Sequence, residues 1–152
     1  MRALVQRVTQ SSVLADNKTV AQIGQGLLVL LGVAKGDELS DAAYLARKVA
    51  HLRIFEDASH KLNLSLLDIG GEALVVSQFT LYGDCNKGLR PSFDKAAPAE
   101  LAQRLYEDFV RLLKEQGICV STGIFQADML VNIANNGPVT IIIDSKSEKN
   151  RR

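Results

Sequence analysis

Two short segments of this chain carry the groups best suited to act on a small polar substrate. The first, Ser77-Gln78-Phe79-Thr80-Leu81, closes the apolar run Ala73-Leu74-Val75-Val76. Ser77, Thr80 and the nearby Cys85 are candidate nucleophiles. A Ser or Thr hydroxyl needs a base to be activated, and the local sequence sets no His or Lys beside them. The second segment, Asn135-Asn136-Gly137-Pro138-Val139-Thr140, stands between the strand-like runs Met129–Ala134 and Val139–Asp144. Gly and Pro are poor strand residues, so Gly-Pro between two strands predicts a sharp reversal. X-Pro bonds also take the cis form, which turns two successive carbonyls the same way. A rigid Gly-Pro tip in a small polar segment suits a grip on a ligand by backbone groups. Plainer readings stand beside these: a simple hairpin turn, since Asn-Gly is its commonest signal, and two ordinary strand hydroxyls.

The known catalytic signatures narrow the field. There is no G-x-x-x-x-G-K-[ST] phosphate loop and no G-x-S-x-G elbow around Ser77. The two histidines, His51 and His60, have no ligand partner four residues on, so metal-assisted hydrolysis has no support. Cys85 and Cys119 lack metal-like spacing, and a reduced cytoplasm is the simplest setting. No apolar run reaches the ~18 residues of a membrane span, and Gln6 and Arg7 interrupt any signal-peptide core. The net charge of +1, from 18 Lys+Arg against 17 Asp+Glu, argues against an extended nucleic-acid backbone contact. It leaves room for a small terminal piece of RNA, where few phosphates are touched.

The elements that must position these segments read as follows. At 152 residues the chain fits one domain; we assign it residues 1–145, with 146–152 as a disordered polar tail. Residues 2–9 alternate, Ser12–Leu14 and Thr19–Ile23 flank a hairpin turn, and Leu27–Val33 is apolar on both faces like a central strand. Ser40 is placed to cap a helix through about residue 53. Asn63–Ile69 is ambiguous, and Ala73–Leu81 reads as a strand. In that strand Ser77, Phe79 and Leu81 would face one way and Gln78 and Thr80 the other. Residues 84–97 are polar with Gly88 and Pro91, hence a long loop. A second helix starts at Pro98 and stops at Gly117, with Leu101, Leu105, Phe109 and Leu112 as its buried stripe. The expected fold class is α+β: curved antiparallel, barrel-like β-sheets with two main helices packed on one side.

Taken in order, six segments resemble the D-aminoacyl-tRNA deacylase family in its bacterial and eukaryotic branch. They are Met1-Arg2-Ala3-Leu4-Val5-Gln6-Arg7-Val8, Gly26–Val33, Arg53-Ile54-Phe55, Val76–Leu81, Lys87-Gly88-Leu89-Arg90-Pro91-Ser92-Phe93 and Asn135–Thr140. The chain has Asn136 where the family often has an acidic residue. The resemblance implies an ester hydrolase that removes D-amino acids, and glycine, from mischarged tRNA and rejects L-aminoacyl-tRNA. It implies Ser77, Gln78, Phe79 and Thr80 as the catalytic segment. Gly137, Pro138, Arg7 and Met129 are implied in substrate binding and chiral selection. No cofactor or metal is implied. The partners would be the tRNA acceptor end and a second copy of the chain, whose cis Gly-Pro tip reaches into the pocket; no membrane is involved. The competing class is a non-catalytic acceptor-end binding module related to a synthetase editing domain.

Overall fold

The computed structural model describes residues 1–146; positions 147–152 of the expected polar tail lie outside the described residues. Strand β1 (Arg2–Ala15) opens a long antiparallel ribbon. Asp16 and Asn17 turn it with φ of +49° and +60°, the positive pair that a tight hairpin needs. Strand β2 (Lys18–Ile23) then returns along the far half of β1 and β3 (Gly26–Gly32) along the near half. Helix α1 (Leu39–His51), the short pair β4 (Phe55–Glu56) and β5 (Leu62–Leu64), and the single turn α2 (Leu66–Ile69) cross over to β6 (Glu72–Ser77). Helix α3 (Ala99–Glu115) leads to β7 (Cys119–Thr122), and β8 (Leu130–Asp144) lies antiparallel along the other edge of β1.

The fold is the expected α+β arrangement of a curved sheet with helices, with one refinement. β3–β6 and β6–β7 pair in parallel, because each is joined by a helical crossover rather than a hairpin. The meeting of β3 and β6 depends on Gly26, where a Cβ would stand 1.8 Å from the Glu72 carbonyl oxygen. Strands β3 and β6 are buried on both faces, as their unbroken apolar runs require. Leu27, Val29, Leu31, Ala73 and Val75 pack under α1 and α3, while Leu28, Leu74 and Val76 meet Val8, Val13 and Ile23 on the opposite face.

Local details depart from the sequence reading where tertiary neighbours decide. Helix α1 is capped at Glu38 rather than Ser40, and the Asp41 carboxylate accepts from the Glu38 N–H at 2.8 Å. The ambiguous stretch 63–69 resolves into β5 and α2, capped by Ser65. In α3 the fully buried residues are Leu105, Tyr106, Phe109, Val110 and Leu113, with Leu101 and Leu112 at the margin. The stripe is rotated because α3 packs against α1 as well as the sheet.

One buried ionic node joins the chain's two ends to the core. The Met1 ammonium stands 2.7 Å from Asp37 Oδ2 and donates to Ser145 Oγ at 2.6 Å. The same Asp37 oxygen accepts from the Ala34 N–H at 2.7 Å. Lys146 Nζ lies 3.2 Å from Asp37 Oδ1, an ion-pair contact without hydrogen-bond geometry. Removing one partner of a buried pair leaves a bare charge, at a cost of about 3–5 kcal/mol. Asp37→Asn is therefore expected to lower the unfolding free energy by about 3 kcal/mol, read from the midpoint shift of a urea titration at unchanged slope.

Candidate active site

The segment 77–81 is not a continuous strand. β6 ends at Ser77, Gln78 N–H makes a last bond to the Leu31 carbonyl at 2.8 Å, and Phe79–Tyr82 form a 3-10 turn. The alternating faces expected for residues 78–81 are therefore replaced by the geometry of a turn. The cause is local loss of partners: β7 pairs with β6 only as far as Val75. The turn is held instead by Arg2, whose guanidinium donates to the Leu81 carbonyl at 2.9 Å and to Asp144 at 3.0 and 3.1 Å. The first N–H groups of any helical turn lack an internal acceptor; here they belong to Phe79 and Thr80. Gln78 Nε2 donates to Thr80 Oγ1.

Beside the turn lies a cavity of about 530 Å³ walled by Ser77, Gln78 and Phe79, with Ala102 of α3, Phe125 and Met129 also lining it. Phe79 is 55% exposed, and its ring meets Phe93 edge-on at 5.0 Å. Thr80 is exposed beside the cavity rather than in its wall. Met129 lies just before β8, its sulfur accepting from the Ile124 N–H at 3.4 Å. Phe125 and Ala127 escaped the sequence reading because residues 124–128 contain no Gly or Pro to signal a turn. They form a turn, with Gln126 at φ +63°.

The groups around this cavity offer little base chemistry. Tyr106 donates its O–H to the Val75 carbonyl at 2.9 Å. Burial pushes its pKa up to about 12, so it stays protonated. His51 contacts Gln116 and His60 contacts Glu56, and neither lines the cavity. Among the described residues Asp128 is the single ionisable group in the wall; no motif in the sequence singles it out.

The Gly-Pro segment is likewise not a hairpin. β8 runs through it, and the extra length bulges out. Two steps along β1, from Gln6 to Val8, match five along β8, from Thr140 to Asn135, so three additional residues are extruded. The Gly137–Pro138 bond is cis. Arg7, only 6% exposed, secures the base of the bulge. Its Nε donates to the Asn136 carbonyl at 2.9 Å and its Nη1 to the Ile54 carbonyl at 2.8 Å. Asn135 closes it from the other side, accepting from the Val139 N–H at 2.9 Å and donating to Thr140 Oγ1 at 3.1 Å. Gly137 sits at φ +135°, and a Cβ there would stand 2.8 Å from Val139 Cγ2 and 3.0 Å from Arg7 Nη2.

Residues 4–144 match the family model described as D-Tyr-tRNA(Tyr) deacylase. The chain belongs to this deacylase family. It is 59% identical over 145 residues to a D-aminoacyl-tRNA deacylase of Clostridioides difficile (strain 630), covering 95% of this chain and 97% of that protein. It is 58% identical over 151 residues to one of Geotalea uraniireducens (strain Rf4), covering 99% and 97%. Among solved structures, one described as a c-Myc DNA unwinding element binding protein superposes with TM-score 0.90 at 40% identity, covering 97% of this chain and all of that one. A probable eukaryotic D-amino acid tRNA deacylase shares the fold, with TM-score 0.83 at 19% identity over 94% and 98% of the two chains.

In this deacylase-family chain the two motifs stand apart in the sheet. Ser77 is level with Leu31, Leu31 with Ala3, and Ala3 with Ile143. The bulge stands about four residues farther up β1, which is ~13 Å along the strands and three strands across. Among the described residues β8 pairs with β1 alone and its other edge is open, and Leu130, Ile133 and Ile142 along the strand are exposed. No helix among the described residues is long and apolar enough to cross a membrane.

Proposed function

We propose that this protein hydrolyses the ester bond of D-aminoacyl-tRNA, and of mischarged glycyl-tRNA, releasing the amino acid and free tRNA while rejecting L-aminoacyl-tRNA. Membership of the deacylase family makes the chain a hydrolase of that class. The single structural observation that carries the rest is the pairing of a base-poor cavity with a rigid backbone tip. The terminal aminoacyl-adenosine occupies the cavity beside Ser77, Gln78 and Phe79, with Met129 in its wall. The Phe79 and Thr80 N–H groups face the ester carbonyl and stabilise the oxyanion as it forms. With the ribose 2′-OH beside a labile ester, orientation supplies most of what the reaction needs. Thr80 contributes its backbone rather than a nucleophilic hydroxyl, because the group that meets its Oγ1 is the Gln78 amide N–H, a donor that cannot take the hydroxyl proton.

The tip that completes the pocket belongs to a second copy. Its own turn is too far away, and an open strand edge with exposed Leu130, Ile133 and Ile142 is a natural pairing surface. The partner's Gly137 and Pro138 then press on the substrate Cα, where an L side chain collides and a D side chain points outward. Glycine has nothing to collide and passes. A cytoplasmic setting suits a tRNA substrate.

The test is deacylation of D-, L- and glycyl-tRNA by the purified protein. Release of D-amino acid and glycine with L-ester spared is expected; equal hydrolysis of D and L esters overturns the reading. Thr80→Ala is expected to keep single-turnover rates within about threefold, whereas loss of a nucleophile or its base costs several orders of magnitude.

A further inference from the structure

The loop that follows the turn carries charge that the pocket does not use. Residues 85–91 include Lys87 and Arg90 and no acid. Both side chains are exposed, and among the described residues neither has an ion-pair partner, unlike Lys95, which stands 3.7 Å from Asp84. Leu89 between them is fully exposed, and Gly88 turns the tip with φ +72°. The stem below this tip is fixed. Asp84 and Ser92 exchange both backbone hydrogen bonds at 2.8 and 2.9 Å, and Phe93 abuts Phe79 of the cavity wall. The loop therefore projects two unneutralised cations from a hydrogen-bonded base that packs on Phe79 of the cavity wall. The other basic group, Arg47, Lys48 and Arg53, is placed differently: it lies at the end of α1, and Arg53 is tied to Asn63.

Resting on the deacylase reading above, we propose that Lys87 and Arg90 bind backbone phosphates of the single-stranded nucleotides that precede the terminal adenosine. A chain whose last nucleotide fills the cavity must leave by its mouth, past Phe79 and Phe93, and its backbone carries one negative charge per nucleotide. A protein of net charge +1 has no general attraction for RNA, so the attraction must be local. Leu89 lies between the cations, where an unpaired ribose or base offers apolar surface.

The experiment compares wild type with the double variant Lys87→Gln/Arg90→Gln on two esters: D-aminoacyl-tRNA and the minimal 3′-O-(D-aminoacyl)adenosine. Two lost phosphate contacts to a single strand reduce the slope of log kcat/KM against log salt by about 1.4, at about 0.7 each. At low salt the variant should lose roughly fivefold to tenfold in kcat/KM on the tRNA ester and none on the minimal ester. An unchanged slope, or equal losses on both esters, overturns the phosphate contact alone. Dimer loss in sedimentation with an unchanged slope would assign the loop to protein contact instead. Wild type inactive on both esters would overturn the deacylase reading, and this proposal with it.

Discussion

Gly137→Val is expected to lower deacylation of D-aminoacyl-tRNA by roughly a hundredfold, the cost of about 1 Å of misplacement at a reacting centre. The backbone at φ +135° disfavours any L side chain, and the first added carbon already lies 2.8 Å from Val139 Cγ2 and 3.0 Å from Arg7 Nη2. Neither neighbour yields cheaply. Val139 is half-buried in the bulge, and Arg7 is buried and held by two carbonyls. The bulge must therefore shift as a unit. The fold should survive, because residues 136–138 contribute nothing to the buried core. Single-turnover deacylation and circular dichroism on the same sample check both halves. The same variant tests where the tip acts. Ala102→Phe fills the cavity from α3 and should be inactive alone. After subunit exchange between the two inactive variants, half the dimers are mixed and each holds one working site of two. Activity should return to roughly a quarter of wild type if the interface is two-fold symmetric. No recovery would show that each tip serves its own chain.

The second large effect is expected at Arg7, which positions the tip through the Asn136 carbonyl. Its guanidinium spans the Asn136 and Ile54 carbonyls with two separate N–H groups, with Glu56 at 4.0 Å beyond. A lysine ammonium has no planar fork and cannot reproduce that span. Arg7→Lys is expected to fold, to lose about 1–3 kcal/mol of stability through weakened charged hydrogen bonds, and to lose at least tenfold in kcat. The discriminating readout is the ratio of D- to L-aminoacyl-tRNA hydrolysis. A loosened tip should let that ratio fall, whereas a purely structural defect lowers both rates together.

Much of the architecture was legible in the chain itself. The doubly apolar runs at 27–33 and 73–76 had to be central strands, because both faces needed covering. The Asp16-Asn17 turn and the Pro98-to-Gly117 helix carried their own punctuation, and these are local preferences that no neighbour overrides. The resemblance of six ordered segments named the family; of the motif residues, Ser77, Gln78, Phe79 and Met129 line one cavity, Thr80 lies beside it, and Arg7 holds the bulge that carries Gly137 and Pro138.

Other features depended on partners distant in sequence. Whether 78–81 continued as strand turned on β7 pairing no farther than Val75. Whether Gly-Pro was a hairpin or a bulge turned on β1, which is long enough to pair with both flanks of the motif and so keeps them one strand. The cavity's far wall came from residues 96–102 and 125–131, whose small and mixed side chains have no periodicity that marks them as a pocket. By itself, then, the sequence determined the chemistry available: hydroxyls without a base, a backbone tip, and no metal-ligand spacing. Only the tertiary structure decided that the tip and the turn stand three strands apart and about four residues out of level. That separation is set by strand register, a sum of long-range pairings that no local pattern records.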